Sequence, residues 1–100
     1  MKVRVNYFGL FRKEFRKEFR KRTEDVQLPN KSRLIDLLLC LAERYGEKFE
    51  TYIFTPSDTD VKEDVLLNVN GVASRQLHGL ETELNEGDEV AFMPLFSGGG

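Results

Sequence analysis

Cysteine and histidine each occur once, as Cys40 and His78. A lone cysteine closes no intramolecular disulfide, and this pair falls short of the ligand set of a structural zinc site. No apolar run approaches the ~18 residues that a membrane-spanning helix needs. The opening stretch MKVRVNYFGL alternates apolar with polar residues, where a secretory leader would carry an apolar block. No glycine-rich phosphate loop is present, and neither Cys40 nor His78 has a titratable neighbour that would activate it. A self-contained enzyme is therefore the least favoured class. Together these absences point to a protein of the reducing cytoplasm with no membrane contact.

What is present is enough for one modest core: 100 residues, of which 40% are hydrophobic and 32% charged. The net charge of −2 is unevenly spread. Residues 10–22, LFRKEFRKEFRKR, hold seven Lys/Arg against Glu14 and Glu18, a local +5, so the remainder sums to −7. Such asymmetry marks a solvated face or a surface for an acidic partner. Without a base-stacking platform it does not make a nucleic-acid binder.

Hydrophobic periodicity predicts the elements. Val3, Val5 and Tyr7 alternate with Lys2, Arg4 and Asn6, the period of a strand with one buried face. Phe11, Phe15 and Phe19 recur every fourth residue and predict a short amphipathic helix. Val26 and Leu28 mark a second strand that pairs back onto the first, stopped by Pro29. Leu34, Leu38, Leu41 and Tyr45 form the stripe of the main helix, widened by Ile35, Leu37 and Ala42. Ser32 reads as its N-cap and Gly46 as its stop, with Cys40 as a small buried hydrophobe. After the polar, acidic stretch TPSDTDVKED comes VLLNVNGVASRQL, a strand, an Asn70-Gly71 turn and a short return. HGLETEL reads as a turn or short 3₁₀ element, with His78 at the surface. EVAFMPLF is the last strand, and Pro94 suggests that it frays or nears an edge beyond that point. The order β, short α, β, long α, then two or more strands describes an α+β domain with one helix packed across a mixed sheet.

The segments VNYFGLFRKE, NVNG and LNEGDEVAFMPLFSGG, in this order, resemble the β-grasp sulfur-carrier family. That family includes the MoaD-like small subunit of molybdopterin synthase, the thiamine carrier ThiS and the archaeal SAMP modifiers. The resemblance spans nearly the whole chain and is most specific at Gly87-Asp88-Glu89-Val90-Ala91-Phe92 and the terminal glycines. It implies a ubiquitin-like β-grasp domain over residues 1–96, with a four- to five-stranded mixed sheet, one main helix and an extra short N-terminal helix. Residues 97–100 then form a flexible tail. The sequence departs from the family pattern in two places. Pro94 is followed by Leu95 and Phe96, where the family usually has a second proline and a small β-branched residue, and a third glycine follows the usual two.

What the resemblance implies about chemistry centres on that tail. An E1-like adenylating enzyme, using ATP and magnesium, would activate the terminal carboxylate of Gly100, or of Gly99 if the last residue is removed. A sulfur donor would then convert the acyl adenylate into a thiocarboxylate for molybdenum- or tungsten-cofactor synthesis with the large subunit of molybdopterin synthase. Alternatively the activated acyl group passes to lysines of target proteins. The chain itself would bind no cofactor or metal and supply no catalytic residue. Ser97, Gly98, Gly99 and Gly100 reach about 13–14 Å when extended, enough to enter a narrow channel that side chains would block. Phe92, Pro94, Leu95 and Phe96, just before the tail, are the candidate partner-docking residues; core or edge packing is the other reading of Phe92, Leu95 and Phe96, and docking is favoured for Leu95 and Phe96. A plain interaction module with an inert tail, working through the FRKE repeat, is the competing class.

Overall fold

A computed structural model describes residues 1–7, 23–47, 49–50 and 65–94. The helix expected over the FRKE repeat, the acidic stretch before β3, and the tail with Leu95 and Phe96 lie outside the described residues. Five strands make one mixed sheet: β1 (Lys2–Tyr7), β2 (Thr23–Gln27), β3 (Val65–Val69), β4 (Val72–Ala73) and β5 (Glu89–Pro94). Their spatial order is β2-β1-β5-β3-β4. Only β1 and β5 pair in parallel, and every other pairing is antiparallel. The main helix among the described residues, α1 (Leu34–Tyr45), follows β2. This is the ubiquitin-like β-grasp architecture.

The alternation of β1 works as the sequence suggests. Val3, Val5 and Tyr7 are buried, while Lys2 and Arg4 are exposed. The same face of the sheet buries Val26, Val65, Leu67, Val69, Val90 and Phe92. Against it α1 lays Leu34, Leu37, Leu38, Leu41 and Ala42, all buried. Each fully buried leucine or valine contributes about 1.5–3 kcal/mol, so this layer sets most of the stability. Ile35, Cys40 and Tyr45 pack at its margin. Cys40 is thus half-buried, because it lies beside the helix stripe and not within it.

The start of α1 differs from expectation. Arg33, not Ser32, occupies the N-cap position, and the Asp36 carboxylate accepts from its backbone N–H at 2.8 Å. The Ser32 hydroxyl instead donates to the Pro29 carbonyl at 2.7 Å, closing the turn before the helix. That shift by one residue follows from a tertiary tie. The Ser32 carbonyl accepts from the Leu84 N–H and the Thr82 carbonyl from the Leu34 N–H, bridging the chain before α1 to residues 82–84. At the other end Gly46 stops the helix, and a following helical turn brings Phe49 into the core.

Two turns govern the last strand. Asn70 and Gly71 have φ of 52° and 83°, the left-handed pair that a two-residue hairpin between β3 and β4 requires. Asn70 also reaches β5. Its backbone N–H donates to the Glu89 carbonyl at 2.8 Å, and its Oδ1 accepts from the Glu89 N–H at 2.9 Å. The second turn is Asn85–Asp88, where Asp88 Oδ2 accepts from the Asn85 N–H and Gly87 takes φ of 84°. The expected 3₁₀ element is present at Gly79–Glu81, preceded by another at Ser74–Gln76, and His78 is exposed.

Candidate functional site at the exit of the last strand

The expected tail, residues 97–100, lies outside the described residues, and the described part of the candidate site is the end of β5 at Pro94, two residues short of it. β5 lies at the centre of the sheet, with Phe92 opposite Tyr7 of β1, and Met93 and Pro94 opposite Leu66 and Val65 of β3. Its register is fixed from the start of the strand. The Gly87 N–H donates to the Lys2 carbonyl at 2.8 Å, and the Arg4 N–H donates to the Asp88 carbonyl at 2.9 Å. The Lys2 N–H donates to Glu86 Oε1 at 3.1 Å. The segment NEGDEV therefore acts as an alignment device. It locks β5 against β1, and a strand with fixed rise per residue then delivers its last residue at a fixed place.

Among the described residues β5 pairs with β1 as far as Phe92 and with β3 as far as Pro94. The fraying or edge expected beyond Pro94 falls outside the described residues.

Because β1 and β5 are parallel and β2 and β3 run opposite to them, four chain ends meet at this edge of the sheet. They are the end of β1 at Tyr7, the start of β2 at Thr23, the start of β3 at Val65 and the end of β5 at Pro94. Both attachment points of the basic segment, on β1 and β2, lie on the same side of the end of β5.

Beneath the exit lies a layer of rings. Phe92 stacks on Tyr7 with centroids 5.5 Å apart and meets Phe49 edge-on at 6.0 Å. Phe92 is fully buried. Of the two roles expected for it, docking and core packing, this fold shows the second: alternation turns residue 92 inward, as it does Val90. Met93 points to the open face of the sheet and is half-exposed. Leu95 and Phe96, also expected to dock, fall outside the described residues, as do Gly98, Gly99 and Gly100.

A polar cluster that the sequence reading missed closes the same end. Glu24 Oε2 accepts from the Tyr7 hydroxyl at 2.8 Å and from the Tyr45 hydroxyl at 2.5 Å, and its Oε1 accepts from Arg44 at 2.6 Å. It joins β1, β2 and the last turn of α1. Burial, reinforced by the Glu24 carboxylate, raises the Tyr7 hydroxyl far above its usual range and pushes Tyr45 up to about 12. Both hydroxyls therefore stay protonated and donating at neutral pH. A signal was available: Glu24 is two residues from Val26, and so an acid on the inward face of a strand.

No buried side-chain polar atom lacks a partner and no cluster of three metal-ligating side chains occurs among the described residues. No helix there is long and apolar enough to cross a membrane.

The ThiS family model matches residues 5–99. A search of curated protein sequences returns no match. Among solved structures, the putative molybdopterin converting factor, subunit 1, from Pyrococcus furiosus is 32% identical with a TM-score of 0.71, covering 96% of this chain and 99% of that one. The small archaeal modifier protein 1 (SAMP1) from Methanosarcina acetivorans is 28% identical with a TM-score of 0.77, covering 98% of this chain and 96% of that one. Urm1 from Trypanosoma brucei, at 19% identity, shares the fold with a TM-score of 0.78, covering 98% and 95%.

Proposed function

The chain belongs to the ThiS family of ubiquitin-fold sulfur carriers and modifiers, and from that premise we propose that it is a MoaD-like sulfur carrier for molybdopterin synthesis. The observation that carries this reading is its 32% identity, over nearly both full lengths, to a protein described as a putative molybdopterin converting factor subunit. In this reading it is a substrate of other proteins and supplies no catalytic group.

A carboxylate is a poor acyl donor because oxide is a poor leaving group. An E1-like enzyme in the cytoplasm, with ATP and magnesium, adenylates the terminal glycine: a carboxylate oxygen attacks the α-phosphorus and pyrophosphate leaves. A sulfide-class nucleophile then attacks the acyl carbon, and AMP departs with one former carboxylate oxygen. The product is a thiocarboxylate, which the large subunit of molybdopterin synthase consumes. The role of this chain's own residues is delivery. NEGDEV sets the register of β5, the ring layer holds the strand, and the tail crosses from the body into the activating site. Ordering that tail costs roughly 1–2 kcal/mol per residue, which docking of the body offsets. Leu95, Phe96 and Pro94 form the docking shoulder.

A second reading is a SAMP-like modifier, joined to target lysines through the same glycine. The likeness to the archaeal modifier, at 28% identity, favours it. Intact mass spectrometry of the protein from its own host separates the two. The carrier reading expects a gain of about 16 Da, one oxygen exchanged for sulfur, on the C-terminal peptide. Higher-mass ladders with branched glycyl-lysine peptides support conjugation instead and overturn the carrier reading. The same spectrum shows whether Gly100 or Gly99 is the working end.

A further inference from the structure

Glu24 is a carboxylate on the inward face of a strand. It lies opposite Val5 of β1, and its side chain is only 14% exposed. Taking a carboxylate out of water is costly, and an apolar side chain of similar size would fill the same space without that cost. The three donors from Tyr7, Tyr45 and Arg44 offset the loss. Such a group adds little net stability. What it does supply is geometry, because bonds from β1 and from the last turn of α1 meet at one side chain of β2.

These bonds belong to a circuit that includes the end of β5. Glu24 accepts from the Tyr7 hydroxyl, and the Tyr7 ring stacks on Phe92 with 11° between the planes. Phe92 meets Phe49 edge-on, Phe49 lies tilted against Tyr45 at 6.3 Å, and the Tyr45 hydroxyl returns to Glu24. Side chains from β2, β1, β5, the turn after α1 and the last residue of α1 thus hold one another. Ring contacts alone are satisfied over centroid separations of about 4.5–7 Å, so they leave room to slide. The two hydroxyl bonds set where Tyr7 and Tyr45 come to rest against the inner rings. Phe92 is two residues before the end of β5, so what fixes its ring also fixes the place from which the chain continues toward residues 97–100.

We propose that Glu24 is a positioning residue for activation of the terminal glycine, acting through Tyr7 and Tyr45 on the aromatic layer under the end of β5. The proposal rests on the activation step common to both readings above. Loss of Glu24 leaves the docking surface of the body in place but loosens the aim of the chain that leaves β5. Turnover therefore falls while docking affinity is kept.

The test is ATP–pyrophosphate exchange by the cognate activating enzyme over a range of concentrations of the full chain, beside amide hydrogen exchange on the same proteins without enzyme. Glu24→Ala is expected to lower kcat about tenfold, with KM for the chain held within about twofold. Glu24→Gln, whose carbonyl oxygen can keep both tyrosine bonds while giving up Arg44, recovers kcat to within about twofold of the unaltered chain. Tyr7→Phe keeps the stack on Phe92, loses the bond to Glu24 and lowers kcat in the same direction, so it decides the matter should Glu24→Ala fail to fold. Leu84→Val, in the core beside the N-terminal end of α1, controls for lost stability alone and leaves kcat unchanged. Without enzyme, Glu24→Ala or Tyr7→Phe speeds amide exchange over residues 91–93 about tenfold relative to Val69, at the other end of β3. The proposal is overturned if kcat is unchanged in Glu24→Ala and Tyr7→Phe, if the loss falls on KM, if Glu24→Gln is as poor as Glu24→Ala, or if Leu84→Val costs as much. Should the unaltered chain support no exchange at all, the activation reading falls instead, and amide exchange decides on Glu24: protection that drops equally at both ends, or not at all, overturns its positioning role.

Discussion

Phe92 sits between Tyr7 and Phe49, fully buried under the point where the tail leaves. Phe92→Ala should therefore cost about 3–5 kcal/mol of stability, read from urea unfolding. An unchanged midpoint would mean that the ring is not part of the core. The Glu24 cluster makes a prediction about pH. Tyr7 and Tyr45 hold their protons more tightly in the fold than in the unfolded chain, where tyrosine titrates near 10. Their contribution is thus complete below about pH 10 and is lost as pH rises toward and past about 12. In a Tyr52→Phe background, tyrosinate absorbance should stay low at about pH 10.5 while the protein is folded, and stability should fall above that. Early ionisation of both tyrosines without loss of stability would contradict the cluster. At this scale the sequence was readable where periodicity alone decides, as for Val3, Val5 and Leu38. It misled at Ser32, where a bridge to residues 82–84 moved the cap, and it left Phe92 open between docking and core, a choice that its place on the inward face of β5 decides.

Among elements, β5 with the turn before it determines where the tail emerges. Gly87 has φ of 84°, and a Cβ built there meets nothing within 4 Å. Gly87→Ala should thus cost only the left-handed backbone penalty, about 1–2 kcal/mol, and leave the fold intact. A loss well beyond that would mean that the turn also packs against a neighbour. Strand and helix identities were legible because each carries its own period, and the turns because Asn70, Gly71 and Gly87 are residues that tolerate the positive φ found there. The strand order was not legible from periodicity. The central position of β5 rests on hydrogen bonds from Gly87 to Lys2 and from Arg4 to Asp88, residues more than eighty apart. Only the likeness of LNEGDEVAF to a known family anticipated it.

On the scale of the whole molecule, the proposed function makes the body an aligned support and assigns the chemistry to its terminus. The parallel pairing of β1 with β5 brings the ends of the basic segment and the exit of the tail to one side, so a partner gripping that side meets both. The proposed site was legible in the sequence as three glycines after an apolar run and in the resemblance to a known family. The most direct test of the central claim is pyrophosphate exchange by the cognate activating enzyme on three versions of the protein. These are the full chain, a chain ending at Phe96, and the full chain with one alanine appended after Gly100. The expected result is exchange with the full chain and none with the other two, all three remaining folded. Exchange that survives removal of residues 97–100 would contradict the account.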